Sequence, residues 1–346
     1  MKKLVYTLLI TGLFLSGIST SRLSAGSEKR KGTSAAAQLM IPVGARDLAM
    51  GGSSVAYTYG IEAIYWNPAG LALTKHNADI MVSSMNYIAD IDINYFAVSG
   101  NFSRLGTLAF SIKSISFGDI PVTTENAPDG TGGTFSPSFF TTGLTYAKML
   151  TDRVFVGATL NLISEEIQRV RSTGASLTVG VQYHDFMNIP GLNMGVVIKD
   201  VGTQMAYDGP GLLREAEVVE GNRGLSFYKI QAASFDLPTT MELGISYRLT
   251  MPGNSNIFLG GTFQNNNYSN DEFRVGGEYS FADMVFVRAG QTIALDERDN
   301  SYLFGMTFGG GVNLNLTGLA VTVDYAFRNV DIFPEANQVL SIKIGF

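Results

Sequence analysis

Residues 241–249 read Met-Glu-Leu-Gly-Ile-Ser-Tyr-Arg-Leu, and this stretch decides the fold class. Apolar side chains occupy every second position, and small, polar or charged ones lie between them. Successive side chains of a β-strand point to opposite faces, so this segment is a strand with one apolar and one polar face. The alternation recurs in residues 177–184, 273–281 and 319–327. A membrane β-barrel requires such strands, although a soluble β-sandwich also shows them.

The number of such segments favours the barrel. About fourteen of them follow residue 78, and bacterial single-chain barrels have an even number of strands. Their lengths centre near ten residues, which is enough to cross a bilayer at a tilt. The predicted strands are residues 79–87, 93–102, 107–117, 139–149, 154–166, 176–186, 192–204, 239–250, 257–265, 272–281, 285–292, 301–309, 318–327 and 338–346.

The connections alternate in length, as expected for short periplasmic turns and long outer loops. A β-sandwich gives no reason for this alternation. Connections 88–92 and 310–317 do not follow it. The short connections are 103–106, 150–153, 187–191, 251–256 and 282–284, and the longer ones are 118–138, 205–238, 293–300 and 328–337.

Composition supports a membrane location and excludes several functions. Only 16% of the residues are charged, against about 25% in an ordinary soluble domain. The mature chain lacks an apolar run long enough for a membrane helix. The net charge of −6 argues against nucleic acid as a partner, because phosphate binding needs a basic surface. The absence of cysteine excludes thiolate chemistry and disulfides.

Both ends of the chain indicate export. Lys2 and Lys3 precede an apolar segment at 4–15, and small residues follow, so residues 1–25 are interpreted as a signal peptide cleaved after Ala25. A membrane anchor is the alternative, but the apolar segment is short for one. The last strand alternates up to its aromatic terminal residue and is similar to the terminal strand that the outer-membrane assembly machinery recognises. The sequence therefore predicts a protein of the bacterial outer membrane, in contact with its lipid.

Residues 43–73 carry a resemblance to a known family. The pieces that match are Gly44-Ala45-Arg46, Ala49-Met50-Gly51-Gly52 and Trp66-Asn67-Pro68-Ala69-Gly70-Leu71. This segment resembles the N-terminal signature of the PorV/PorQ family, which belongs to the FadL-like barrel superfamily. FadL proteins share the Asn-Pro-Ala element. The resemblance implies a fourteen-stranded barrel at 78–346, with residues 26–77 folded inside it as a plug.

The plug contains two features with a physical rationale. The pair Gly51-Gly52 lets the backbone approach the barrel wall closely, and Asn67-Pro68 is typical of a tight turn or of the start of a short helix at 68–73. The plug can act as a gate or serve as a packed turn, and the packed turn is favoured over direct ligand contact. The candidate plug or gate residues are Gly44, Arg46, Met50, Gly51, Gly52, Trp66, Asn67, Pro68, Ala69 and Gly70.

Charged residues also fall on the predicted lumen face. A network of ion pairs that holds the plug to the wall is the favoured interpretation, and a polar conduit or a headgroup site is the alternative. Four of these residues lie on nearby strands. The predicted lumen charges are Lys113, Glu242, Asp324 and Lys343, together with the neighbouring set Arg248, Arg274, Glu278 and Arg288.

The longest connection, 205–238, is the candidate binding loop, because an exposed apolar loop marks a binding surface or a self-packed cap. Its apolar residues are Leu225, Phe227, Tyr228, Ile230 and Phe235. Resemblance to PorV/PorQ implies a barrel of the type IX secretion system whose outer loops bind cargo or secretion partners. Resemblance to FadL implies passive transport of a hydrophobic small molecule instead.

We find no arrangement for catalysis or for a cofactor. The two histidines, His76 and His184, are far apart, and no nucleophile can be placed beside either. The acidic stretch 295–300 could hold calcium weakly, but a solvated loop is favoured. The sequence therefore predicts a protein that is not an enzyme and has no metal or cofactor.

Overall fold

Fourteen antiparallel strands form a closed barrel, as the alternation predicted. The computed structural model describes residues 32–218, 223–294, 303–331 and 335–346. Each strand pairs with the next in sequence, and the last pairs with the first. The strands are β1 (Ala78–Asn86), β2 (Asp92–Asn101), β3 (Thr107–Ser116), β4 (Ser138–Met149), β5 (Val154–Ile167), β6 (Val170–Tyr183), β7 (Leu192–Gly202), β8 (Thr240–Met251), β9 (Ser255–Asn266), β10 (Glu272–Phe281), β11 (Val285–Ala294), β12 (Phe304–Leu316), β13 (Leu319–Val330) and β14 (Asn337–Gly345).

Closure depends on the C-terminal strand. β14 pairs with β1 in a register that runs from Asp79 opposite Gly345 to Asn86 opposite Gln338. The backbone N–H of Phe346 donates to the carbonyl of Ala78 at 2.9 Å, which extends the pairing to the last residue. A closed barrel has no free strand edge, and this is what allows a sheet to lie in lipid.

Most predicted strand boundaries agree with the structure to within three residues, but β6 and β12 are longer than predicted. β6 starts at Val170, directly opposite Ile167, so a two-residue turn joins it to β5. β12 continues through Gly310 and Gly311, which the sequence pattern predicted to lie in a connection. Because β12 runs to Leu316, a short turn follows it, and the apparent exception at 310–317 disappears.

Burial in the barrel is the reverse of that in a soluble sheet. On β8, the side chain of Leu243 is 38% exposed, whereas its neighbour Glu242 is 2% exposed. The apolar face points outward, where a bilayer accommodates it, and the polar face points into a filled lumen. We call the end with the long connections the outer end and the opposite end, which carries both barrel termini, the periplasmic end.

The lumen is filled by the N-terminal segment. Its short helices join in a compact plug whose residues 43–56 are buried throughout. The helices are Ala37–Met40, Ala45–Ala49, Gly60–Glu62, Ala63–Trp66 and Pro68–Leu73, and three further 3-10 turns lie outside the plug at Ser103–Leu105, Phe186–Asn188 and Pro210–Leu212.

The outer connections contain three small antiparallel pairs of strands. Ile120–Pro121 pairs with Thr134–Phe135, and Met205–Ala206 pairs with Ser234–Phe235. The longest pair, Leu213–Val218 with Arg223–Lys229, is called the outer hairpin below. None of the helices in the described ranges has the length and apolarity that a bilayer crossing requires.

Candidate functional site

The plug chain runs from the outer mouth of the barrel towards its periplasmic end. At the outer mouth, the N–H of Ala35 donates to the carbonyl of Asp236, which lies in the long connection 205–238. Below it, the buried ammonium of Lys113 donates to the carbonyls of Gln38 at 2.6 Å and Ile41 at 3.0 Å. Lys113 is therefore a wall cation that satisfies two plug carbonyls.

The Asn67-Pro68 element is a capped turn bound to the wall. The side-chain oxygen of Asn67 accepts from the N–H of Ala69, and Pro68 starts the 3-10 helix. The side-chain amide of Asn67 donates to the carbonyls of Val55 at 2.9 Å and Val181 at 3.2 Å. One side chain thus ties the turn to the plug and to β6.

Trp66 belongs to the plug and is buried where the plug meets the outer cavity. Its indole N–H donates to the carbonyl of Val43 at 3.0 Å, and its ring meets that of Tyr65 edge to face. Both rings line the floor of the cavity described below. Trp66 therefore packs as a structural residue and also faces the cavity.

The glycines of the plug permit turns that other residues resist. Gly51 and Gly52 have φ values of 66° and 74°, and Gly44 has 85°. A Cβ on Gly52 would lie 2.6 Å from the Trp66 ring. Glycine is required here both for the left-handed backbone and for the close packing.

A series of glycines in the wall faces this part of the plug. Plug residues 49–56 and 67–68 lie directly against glycine Cα atoms, and they cross the strands in order from β12 to β5. Several of these glycines also sit opposite one another on adjacent strands. The wall glycines are Gly157, Gly180, Gly195, Gly244, Gly260, Gly276, Gly290 and Gly309.

Buried charges join the plug and wall in a closed circuit. In the wall, Arg288 contacts Glu278 and Asp324, each at 2.6 Å. Lys343 bridges Asp324 at 2.9 Å and the plug residue Glu62 at 2.6 Å. Arg46 completes the circuit: its guanidinium lies 3.4 Å from Glu278, and its backbone N–H donates to Glu62. Cations and anions alternate, so each charge of this circuit lies beside one of opposite sign.

The four neighbouring predicted lumen charges do not all join this circuit. Glu278 and Arg288 belong to it. Arg274 lies on the same wall but pairs with Glu272 at 2.8 Å. Arg248 differs from the prediction: it is exposed near the periplasmic end of β8. The lumen-face alternation of β8 ends before this position, so the residue does not reach the packed interior.

Sequence reasoning missed the pair Lys199 and Asp200. Strict alternation places adjacent residues on opposite faces, yet both side chains are buried in the lumen. A β-bulge between β6 and β7, with Asp200 at φ 58°, turns both inward. Lys199 then pairs with Glu242 at 2.9 Å. No pattern in the sequence marks this bulge.

Above the plug lies a cavity of about 610 Å³, the size of a ligand-binding pocket. Leu48, Gly51, Tyr65 and Trp66 line its floor. One wall is apolar and aromatic, and the opposite wall is polar and charged. The apolar wall contains Tyr87, Ile91, Ile115, Phe117, Phe139 and Phe304, and the polar wall contains Lys199, Asp200, Thr240, Glu242, Gln264, Glu272 and Arg274.

The long connection exposes apolar side chains at the outer end. In the outer hairpin, Leu225 and Phe227 are 68% and 74% exposed and lie on the same face of their strand. Tyr228 is on the other face, and Ile230 and Phe235 follow, all of them exposed. The acidic stretch 295–300, considered above for calcium, lies outside the described residues.

A closed barrel with an apolar exterior, a packed polar lumen and an N-terminal plug defines an outer-membrane β-barrel protein. Residues 24–212 match the family model described as type IX secretion system protein PorV. Because this match spans more than half of the chain, the protein belongs to the PorV family, as the motif at 43–73 predicted. It is an outer-membrane barrel of the type IX secretion system, and its family is not one of enzymes.

Three solved structures with a similar fold are a monoaromatic hydrocarbon channel and two toluene transporters. The CymD monoaromatic hydrocarbon channel has a TM-score of 0.53 at 13% identity, over 88% of this chain and 98% of CymD. The Ralstonia pickettii toluene transporter TbuX gives the same four values. The Pseudomonas putida toluene transporter TodX has 0.53 at 11% identity, over 88% and 97% of the two chains. These similarities show the fold. No curated protein sequence matches the chain.

Proposed function

We propose that this barrel binds secreted cargo or another secretion component through its outer loops and catalyses no reaction. The outer hairpin carries the proposal. Leu225 and Phe227 lie on a paired ribbon that is separate from the barrel sheet, in the longest outer connection, and both are largely exposed. Large apolar side chains in such a position are typical of a protein-binding surface.

The plug supports binding rather than passage through the lumen. It lies against a series of wall glycines and is held by a buried circuit of charges. Opening a path would expose these charges without their partners, and breaking a buried ion pair costs about 3–5 kcal/mol. A role at the outer surface leaves the plug in place.

The test is a double substitution, Leu225→Ser with Phe227→Ser. We expect normal amounts of folded barrel in the outer membrane, a loss of copurified cargo or secretion partner, and reduced export of cargo. Leu105→Ser is the matched control, because Leu105 is 73% exposed on a periplasmic turn. Unchanged export and copurification in the double variant would refute the assignment to the hairpin.

The second candidate is passive transport of a hydrophobic small molecule, which the apolar wall of the outer cavity favours. Transport requires the plug to move. Cysteines placed at Ala45 of the plug and Ser341 of β14, where the Ala45 N–H donates to the Ser341 hydroxyl at 2.9 Å, would lock the plug, and the chain has no other cysteine. If uptake of toluene by cells carrying the barrel falls when this crosslink forms, the transport function is supported; equal uptake speaks against it.

A further inference from the structure

The polar wall of the outer cavity contains buried groups without partners. Thr240 and Glu242 lie on one face of β8, and Gln264 is directly opposite Glu242 on β9. Within the described part of the chain, no hydrogen-bond partner reaches the Thr240 hydroxyl, the Glu242 Oε2 atom or the Gln264 Oε1 atom. The same holds for both side-chain amide atoms of Gln38, which face this space from the plug.

These atoms are too deeply buried to be satisfied by bulk solvent. Gln38 and Glu242 are 2% exposed, Gln264 is 4% exposed and Thr240 is 6% exposed. An unpaired buried polar group costs about 1–3 kcal/mol, and folded proteins pair nearly all of them. In the ranges that the structure describes, five of the unpartnered buried side-chain atoms belong to residues that line this cavity, four residues in all, and a ligand with hydrogen-bonding groups would complete them.

The ligand must also cover the opposite wall. Ile91, Ile115, Phe117 and Phe139 form an apolar surface there, with the rings of Phe117 and Phe139 packed edge to face at 4.8 Å. A wholly polar molecule would leave this surface uncovered, and a hydrocarbon would leave the polar wall unpaired. The two walls together select a molecule with a polar head and an apolar tail.

The charges lining the cavity set the charge of the head. Among the described residues they are three cations, Lys199, Arg274 and Arg328, and three anions, Asp200, Glu242 and Glu272. Because these charges balance, neither a cationic nor an anionic head is favoured by the lining as a whole. A carboxylate head can only accept hydrogen bonds, and Glu242 Oε2 and Gln264 Oε1 can also only accept them, so a carboxylate head would leave both atoms unpaired.

We propose that the outer cavity binds a neutral amphiphile whose head carries several hydroxyl groups, such as an alkyl glycoside or a glycolipid. Hydroxyls both donate and accept. They can donate to Glu242 and Gln264 and exchange hydrogen bonds with Thr240 and Gln38, while the tail lies on the aromatic wall. This site is separate from the outer hairpin, so the proposal goes beyond partner docking.

Trp66 provides a direct readout. It is the single tryptophan of the chain and lines the cavity floor. The barrel in lipid nanodiscs would be titrated, below the micellar concentration, with octyl glucoside, octanoate, octane and glucose. We expect Trp66 fluorescence to report saturable binding of octyl glucoside at least tenfold tighter than of the other three. Glucose binding as tightly as octyl glucoside would show a site for a free sugar and overturn the proposal.

The matched variants are Thr240→Val, which removes an unpaired hydroxyl, and Gln264→Leu, which removes an unpaired amide oxygen together with the hydrogen bond that the Gln264 amide donates to Asn266. Thr240→Val is isosteric and leaves no buried group unpaired, so the barrel is expected to fold as the wild type does. Loss of each hydrogen bond should weaken octyl glucoside binding roughly fivefold and leave octane binding unchanged. Equal affinity for all four probes, the absence of saturable binding, or unchanged glucoside affinity in both variants would overturn the proposal.

Discussion

Gly195→Ala tests whether the wall glycines hold the plug. A methyl group at this position on β7 would lie 2.5 Å from the carbonyl oxygen of Val55, 2.7 Å from the Cα of Ala56 and 2.8 Å from the carbonyl carbon of Val55. Carbon contacts prefer about 3.5–4.0 Å, so wall and plug must separate by roughly 1 Å. The obstruction is backbone, which cannot rotate away as a side chain would.

The expected cost follows from these contacts. Overpacking of an interior costs about 1–3 kcal/mol. The carbonyl of Val55 also accepts hydrogen bonds from Asn67 at 2.9 Å and Gln182 at 3.2 Å, and the shift strains both. Weakening them adds about 1 kcal/mol. We therefore expect Gly195→Ala to lower the free energy of unfolding by about 3 kcal/mol.

The measurement is urea unfolding of the barrel in lipid vesicles. Fluorescence of Trp66, which lies in the plug, follows the plug, and circular dichroism follows the strands. Gly100→Ala is the control, because a methyl group there meets only the Phe102 ring at an ordinary 3.5 Å. We expect the control to stay within about 0.5 kcal/mol of wild type. Equal unfolding curves for the two variants would refute the close-packing argument.

Two further perturbations test the charge circuit and the outer hairpin. Arg288→Leu removes one of the two cations that contact Glu278 and one of the two that contact Asp324. It leaves one buried negative charge of the circuit uncompensated and should cost about 3–5 kcal/mol. Arg248→Leu, at an exposed position, should change stability by less than about 0.5 kcal/mol, and equal urea midpoints for the two variants would contradict the circuit. The hydrogen-bonded ion pair with Lys229 lowers the pKa of Asp208 below its usual value. The stabilising effect of this ion pair is therefore present above about pH 4 and is lost as the pH falls through the lowered pKa. Protease cleavage of the outer hairpin should then rise in acid, and Asp208→Asn should show that higher cleavage at every pH; cleavage that is independent of pH would contradict this reasoning.

The sequence determined the architecture because every strand must meet the same physical requirement, an apolar face towards lipid. Lipid demands an apolar face, and a filled lumen tolerates polar groups, so alternation, strand number and the parity of connections predicted the barrel. The motif at 43–73 predicted the family. Where glycine interrupts the alternation, as at 309–311, the pattern fails, because glycine has no side chain to mark a face. Gly309 lies against Ala49 of the plug, and Gly311 lies against Asp324 and Arg288 of the wall.

Only the tertiary structure decided which charges meet. The circuit joins Arg46 and Glu62 of the plug with residues on β10, β11, β13 and β14. The spacing of these residues in the sequence does not predict their contact, because the contact depends on the position of the plug in the lumen. Likewise, the bulge at Asp200 brings two adjacent charges to one face, and a period of two cannot describe it. The cavity arises where the plug ends and opposing strands face each other, so its two walls come from segments that are distant in sequence.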